Sequence, residues 1–233
     1  MLSNTRRSDA RQSPDLRSAL RKRQILDGAR HVFFLNGYAD TSVEEITVQA
    51  GVSRASIYRY FDSKDALFTS LIKAEAERIA RVIPVPDPDD LSPASNLRPI
   101  GTAILEAFDN PATIATLRLI IGALGRFPHL GKEFLRDSLG PTVERITVHL
   151  DACSAAGTLR IANSRTLAEQ FAKRCLAQTM ERALVPDLPR QTEAEGSIKV
   201  GEVLRGLGLS SCEDAGSPAD SRSSSRSSVE RGE

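Results

Sequence analysis

Beyond the first twenty or so residues, large apolar side chains recur at three- and four-residue spacing, as at Ile25, Ala29, Val32 and Phe33 and again at Leu67, Leu71 and Ala74. Residues three and four apart share one face of an α-helix, and no stretch sustains the every-other-residue alternation of a half-buried strand. The pattern predicts an all-α chain. Asn36 and Gly37 would signal a hairpin if strands flanked them, but a helical period precedes them and a capped helix start follows, so Gly37 is read as a left-handed helix stop. Pro84, Pro86 and Pro88 interrupt the period, since each fixes φ and removes a backbone donor, and a domain boundary is placed there. Further helices are expected to begin after Pro111, Pro128, Pro141 and Ser164, with a last one over residues 191–207, so that the larger domain holds about five or six.

Residues 42–61 carry the most specific local signals. Ser42 followed three positions later by Glu45 is a capping box, in which hydroxyl and carboxylate each satisfy an orphan amide at a helix start. A short helix is predicted over residues 43–50. Gly51 permits the positive φ that stops it, Ser53 caps the next helix, and Val52 with Ile57 forms a hydrophobic staple. Two helices joined by about three residues have the spacing of a helix-turn-helix. At roughly 100° per residue, Ile57 and Phe61 share one side and are expected to bury against Val32, Phe33 and Ile46. Ala55 and Arg59 then point outward, flanked by Ser56 and Tyr58, with Arg54 projecting from the first turn, where free amides favour phosphate oxygens. Arg59 can offer a guanine edge two donors, small Ala55 and Ser56 allow close approach to bases, and Tyr58 and Tyr60 can donate hydroxyls to phosphates. The same spacing also serves to pack two helices under a merely solvated Arg/Tyr face, and spacing alone leaves both readings open.

Charge sharpens the picture only when counted locally. The whole chain of 233 residues carries 31 Lys and Arg against 30 Asp and Glu, so no global field commits it to nucleic acid or membrane. Residues 1–81 alone are basic, with 14 cationic and 10 anionic side chains. Arg21, Lys22 and Arg23, with Arg6, Arg7, Arg11 and Arg17 upstream, form either an arm that reaches phosphates or a minor groove, or a solvated helix start, and the second is favoured. Cys153, Cys175 and Cys212 supply no paired C-x-x-C, so neither a disulfide framework nor a zinc module is expected, and the compartment is read as reducing and cytoplasmic. Charged residues break every apolar stretch before 18 residues, so no membrane segment is expected. Both ends are rich in Ser, Arg, Gly and Asp and read as disordered tails.

The span from Arg21 to Ile79 resembles the DNA-binding domain of TetR-type repressors. The resemblance rests on Ile25 to Ala29, Phe33 to Gly37, Thr41 to Ile46, Ala50 to Ser53, Ile57 to Phe61 and Ser63 to Leu67. It implies that Thr41, Ser42, Tyr58 and Lys64 touch phosphates, while Arg54, Ala55, Ser56 and Arg59 face the groove beside the capping Ser53 and Tyr60. Lys64 fits physically: a cation at a helix start capped by Ser63 costs some stability unless an anion lies close. Family members often carry Gly or Thr where Ala55 and Ser56 stand, and His where Tyr60 stands, departures that bear on base preference.

Leu117 to Pro128, Phe134, Gly157 to Ile161 and Ala168 to Phe171 are similar to the regulatory domain of the AefR-like branch of that family, which implies an all-helical effector-binding and dimerisation domain. The expected organisation is a tail over 1–18, a three-helix helix-turn-helix domain over 19–81, a linker over 82–97, a helical regulatory domain over 98–208 and a tail over 209–233. Residues 141–156 and 165–184 carry apolar groups on more than one side, including Val143, Ile146, Leu150, Cys153, Phe171 and Cys175. This suggests a face buried against a second protomer as a four-helix bundle, or else two helices central in one chain. Phe108, Leu124, Phe127, Phe134 and Phe171 are candidates to line a pocket, although Phe on a helix is usually core. His31, His129 and His149 are read as isolated, without metal-ligand spacing, and Cys212 as the accessible thiol. Gly125 to Glu133 superficially resembles a phosphate loop but has the wrong glycine spacing and Glu133 where a hydroxyl is needed. The expected function is that of a homodimeric, ligand-responsive repressor that binds an operator duplex and a small-molecule effector, with no cofactor, metal or catalytic group. A helical enzyme or a protein-binding adaptor remains the alternative.

Overall fold

The computed structural model describes residues 14–177, 179–185, 188–189 and 192–209. Within them the chain forms α1 (Pro14–Asn36), α2 (Val43–Ala50), α3 (Arg54–Tyr60), α4 (Lys64–Val82), α5 (Pro93–Asp109), α6 (Pro111–Ala123), α7 (Leu130–Ala155), α8 (Ser164–Cys175), α9 (Thr179–Leu184) and α10 (Glu193–Gly206). No strand occurs among the described residues, and none of their helices is long and apolar enough to cross a membrane. Cys212 and most of both expected tails lie outside them.

The helix stops read at Gly37 and Gly51 and the starts read at Ser42 and Ser53 are present. Gly37 has φ 74°, and its amide donates to the Phe33 carbonyl at 2.8 Å, ending α1. The first four helices close over Ile25, Phe33, Ile46, Ile57, Leu67 and Phe68, all essentially fully buried. α4 then leaves this small core and lies along α7, so one continuous apolar cluster runs from α1 to α10.

Several boundaries differ from expectation. α1 begins at Pro14, inside the segment read as a tail, because proline suits a first helical turn where its missing donor costs nothing. α5 begins at Pro93, so the connection spans residues 83–92 rather than 82–97. It is pinned by Asn96, whose side chain accepts from the Asp87 amide at 2.6 Å and donates to the Asp90 carbonyl at 2.8 Å. Pro141 starts no helix and sits within α7. An interior proline costs about 3 kcal/mol, whereas Leu139, Val143, Ile146 and Leu150 around it are buried and each contributes roughly 1.5–3 kcal/mol. Burial therefore outweighs the break.

Of the apolar residues suggested for a dimer face, Val143, Ile146, Leu150, Cys153, Phe171 and Cys175 are buried within the chain between α7, α8 and their neighbours, while Leu167 and Leu176 are partly buried. α5, α8 and α10 meet at Gly101, where an added Cβ would stand 2.7 Å from Val200 Cγ1 and 2.9 Å from Phe171 Cζ. Gly101→Ala is therefore expected to destabilise by about 1–3 kcal/mol through overpacking, read as a drop of roughly 2–10 °C in thermal midpoint by circular dichroism.

Candidate nucleic-acid interface

The interface is built on caps. The Ser42 hydroxyl accepts from the Glu45 amide at 3.2 Å while Glu45 Oε2 accepts from the Ser42 amide at 2.8 Å, completing the capping box. The Ser42 backbone amide and then its hydroxyl, which donates to Glu45 Oε2 at 2.9 Å, hold the Glu45 carboxyl below the usual range. Gly51 has φ 63°, and the Ser53 hydroxyl accepts from the Ser56 amide at 3.1 Å at the start of α3. Gly28 brings α1 onto α2 almost backbone to backbone, since a Cβ there would lie 2.5 Å from that of Ala50. Gln24 Nε2 donates to the Ala50 carbonyl at 2.7 Å, satisfying the end of α2. This short helix pair thus has little freedom to rock on its support.

Ile57 and Phe61 are 1% and 3% exposed, in one buried cluster with Val32, Phe33 and Ile46. The opposite side of α3 presents Ala55 and Arg59 to solvent, with Tyr58 also exposed and Ser56 and Tyr60 half-buried. Arg54 is exposed but engaged, ion-paired to Glu44 of α2 and lying 5.5 Å over the Tyr58 ring. Arg59 makes no ion pair among the described residues.

Two residues carried over from the family resemblance stand elsewhere. Thr41 is 3% exposed and its hydroxyl donates to the Gly37 carbonyl at 2.7 Å, so its side chain serves the turn after α1 rather than the outward face. Lys64 donates to the carbonyls of Thr41 at 2.6 Å and Ala39 at 3.1 Å, 4.5 Å over the Tyr38 ring. The carbonyls of that turn compensate the cation at the start of α4, and one of its three donors is left for a phosphate. Ser42 is half-buried with its hydroxyl committed to Glu45. Ser53 is exposed, its hydroxyl 3.0 Å from that of Ser56.

Sequence reasoning missed the residues that tie this interface to the rest of the chain. The segment read as a false phosphate loop connects α6 to α7, and Arg126 within it donates to Asp65 Oδ2 at 2.6 and 3.2 Å. Phe127 meets Tyr38 edge-on at 5.0 Å between ring centroids and lies 5.3 Å from Phe68. Tyr38 donates to Asp65, and the bonds from Arg126 and then Tyr38 hold that carboxyl below the usual range. Deeper, Glu75 of α4 is buried between Arg30 of α1 at 2.5 Å and Arg78 at 3.0 Å. Arg78 also donates to Thr113 Oγ1 of α6 at 3.0 Å. The only signal for the second junction was Glu75, a carboxylate at a helical core position, and Asp65 in the partly exposed first turn of α4 gave none for the first.

The five apolar residues suggested as pocket lining differ in burial. Phe108, Phe134 and Phe171 are buried core, Phe127 docks on the first domain, and Leu124 is exposed. His149 is not isolated, because the i,i+4 spacing sets its Nε2 3.5 Å from Cys153 Sγ. Burial lowers the His149 pKa and raises that of Cys153. No third His, Cys, Asp or Glu completes a metal-binding group among the described residues. Burial pushes the Cys175 thiol up to about 12 and leaves it unreactive.

Comparison with known proteins agrees with this geometry. Residues 25–71 match the model of bacterial regulatory proteins of the tetR family, and residues 95–203 match that of the C-terminal domain of AefR-like transcriptional repressors. An uncharacterised HTH-type transcriptional regulator of Mycobacterium tuberculosis is 40% identical over 142 residues, covering 55% of this chain and 70% of that protein. The flavonoid-responsive regulator FrrA is 30% identical with a TM-score of 0.68, covering 81% of this chain and 95% of the other. A TetR-family structure from Mesorhizobium loti shares the fold at 21% identity, with a TM-score of 0.69 over 82% of this chain and 96% of that one. With the matched spans covering the capped helix pair and the helical second domain, the chain belongs to the TetR family of DNA-binding transcriptional regulators.

Proposed function

We propose that this regulator is a ligand-responsive repressor that acts as a homodimer. Its two α3 helices enter successive major grooves of a near-palindromic operator about 34 Å apart. The observation that carries the reading is Arg59: exposed, without an ion pair among the described residues, and opposite the buried Ile57 and Phe61 on a helix whose start and support are held by caps. A guanidinium so placed can meet a guanine edge with two donors. Ala55 and Ser56 leave room for that approach, Arg54 joins it once a phosphate or base competes with Glu44, and Tyr58, Tyr60, Ser42, Ser53 and the free donor of Lys64 face the backbone.

The helical domain, taken as residues 93–209 behind a DNA-binding unit of residues 14–82, is the site of effector binding. The AefR-like match and the name of the flavonoid-responsive relative support a small-molecule signal. The effector favours a conformation whose recognition helices are misaligned, and its differential affinity is what weakens DNA binding. The Arg126–Asp65 and Phe127–Tyr38 contacts give that change a route to α1 and α4 besides the pinned connection of residues 83–92. The protein works by binding rather than by turnover, in the cytoplasm where the operator lies.

Selection of bound duplexes from a random pool tests this. It is expected to return two inverted half-sites about ten base pairs apart, with an affinity that falls linearly in log salt. A five-base-pair insertion between the half-sites is expected to abolish tight binding. A chain with no salt-sensitive affinity for any duplex would end the reading.

A further inference from the structure

We propose that the cleft between the N-terminal half of α1 and the last turn of α3, where Arg17 and Arg21 stand beside Arg59, is a second DNA-contacting site in which Arg17 and Arg21 seat a backbone phosphate of the duplex whose bases Arg59 reads. The inference rests on the DNA-binding reading and extends it to residues outside the helix-turn-helix.

Arg17, Arg21 and Gln24 fall on one stripe of α1 at i, i+4 and i+7. Gln24 anchors that stripe to the end of α2 through its 2.7 Å bond to the Ala50 carbonyl, so the two arginines above it stand beside Arg59 and Tyr60. Two other cations of α1 are paired with carboxylates, Arg23 with Asp27 at 3.9 Å and Arg30 with Asp27 at 2.9 Å and Glu75 at 2.5 Å, while Lys22 lies 5.7 Å over the Phe61 ring. Arg17, Arg21 and Arg59 have no such carboxylate among the described residues, and Arg21 meets only the neutral Gln24 side chain, at 3.1 Å. Like charges four residues apart on a helix repel each other. Three of them converging on a concave surface also focus a positive field, a local arrangement that an anion relieves. The anion is a duplex phosphate because Arg59 belongs both to the cleft and to the outward side of α3, so a strand read by α3 passes the mouth of the cleft. Guanidinium groups grip phosphate through paired parallel donors.

The test uses the full chain and the duplex returned by selection. Arg17→Gln and the double variant Arg17→Gln/Arg21→Gln are compared with Arg23→Gln, which removes the same charge from a carboxylate-paired position. The cleft variants are expected to keep the helical circular dichroism of the wild type, lose about five- to twenty-fold in affinity on every sequence alike, and lower the salt slope by about one per protomer for each phosphate that is no longer neutralised. Arg23→Gln is expected to change neither by more than about two-fold. Wild-type binding with the cleft variants unchanged overturns this inference and leaves the DNA-binding reading intact. Equal losses for Arg23→Gln would show a diffuse field rather than a site, and an altered base preference would show base reading instead of phosphate seating; either overturns it. Failure of the wild type to bind any duplex overturns both readings together.

Discussion

Arg59→Ala is expected to weaken binding to the selected operator by about 1–3 kcal/mol, roughly five- to 150-fold, while binding to unrelated duplex falls far less. The discrimination between the two is therefore expected to collapse at the base pair that the guanidinium reads. Truncating an exposed side chain leaves no cavity, and Ile57 and Phe61 on the opposite side keep α3 seated, so thermal stability is expected to stay within about 0.5 kcal/mol of the wild type. Competition binding with single-base variants of the operator checks this. An equal loss on every sequence would reassign Arg59 from reading bases to holding phosphate, the role proposed for Arg17 and Arg21.

The largest effect on stability is expected at Glu75. Its carboxylate is 2% exposed and lies between the guanidinium groups of Arg30 and Arg78. Glu75→Ala leaves two like charges facing each other across an emptied site. Breaking a buried ion pair from one side costs about 3–5 kcal/mol, and because both arginines are about a third exposed and can turn toward water, the lower end applies. The midpoint of chemical unfolding reads this directly. Arg78 also holds Thr113, whose hydroxyl donates to the Ala107 carbonyl at 2.7 Å. The same variant is therefore expected to loosen α6 against α4, seen as faster amide exchange in both helices. Stability unchanged within about 1 kcal/mol would mean that solvent already screens the triad.

Much of the candidate interface was legible because its determinants are local. The capping box of Ser42 and Glu45, the left-handed glycines at 37 and 51, and the caps at Ser53 and Ser63 each act over four residues or fewer, so the chain carries them in plain order. The inward placement of Ile57 and Phe61 and the outward placement of Arg59 follow from helical periodicity alone. Thr41 and Lys64 were harder to place because their partners are carbonyls of a turn, and every residue type has a carbonyl. The apolar surplus of residues 141–156 and 165–184 was legible as burial, but its partner was not. α4, α5 and α10 cover it within the same chain, and periodicity reports how many faces are buried without saying against what.

By itself, then, the sequence determined the helical class, the capped helix pair, the side that α3 turns outward and the break after α4. These depend on backbone preference and the spacing of apolar groups, which neighbouring residues settle among themselves. Only the tertiary structure decided that Arg126 and Phe127 lock onto Asp65 and Tyr38, that α7 runs unbroken through Pro141, and that Arg17 and Arg21 converge on Arg59. Those contacts join residues 38 to 89 positions apart, and their energy depends on burial and on which charges are left without a partner, quantities that exist only once distant helices have packed.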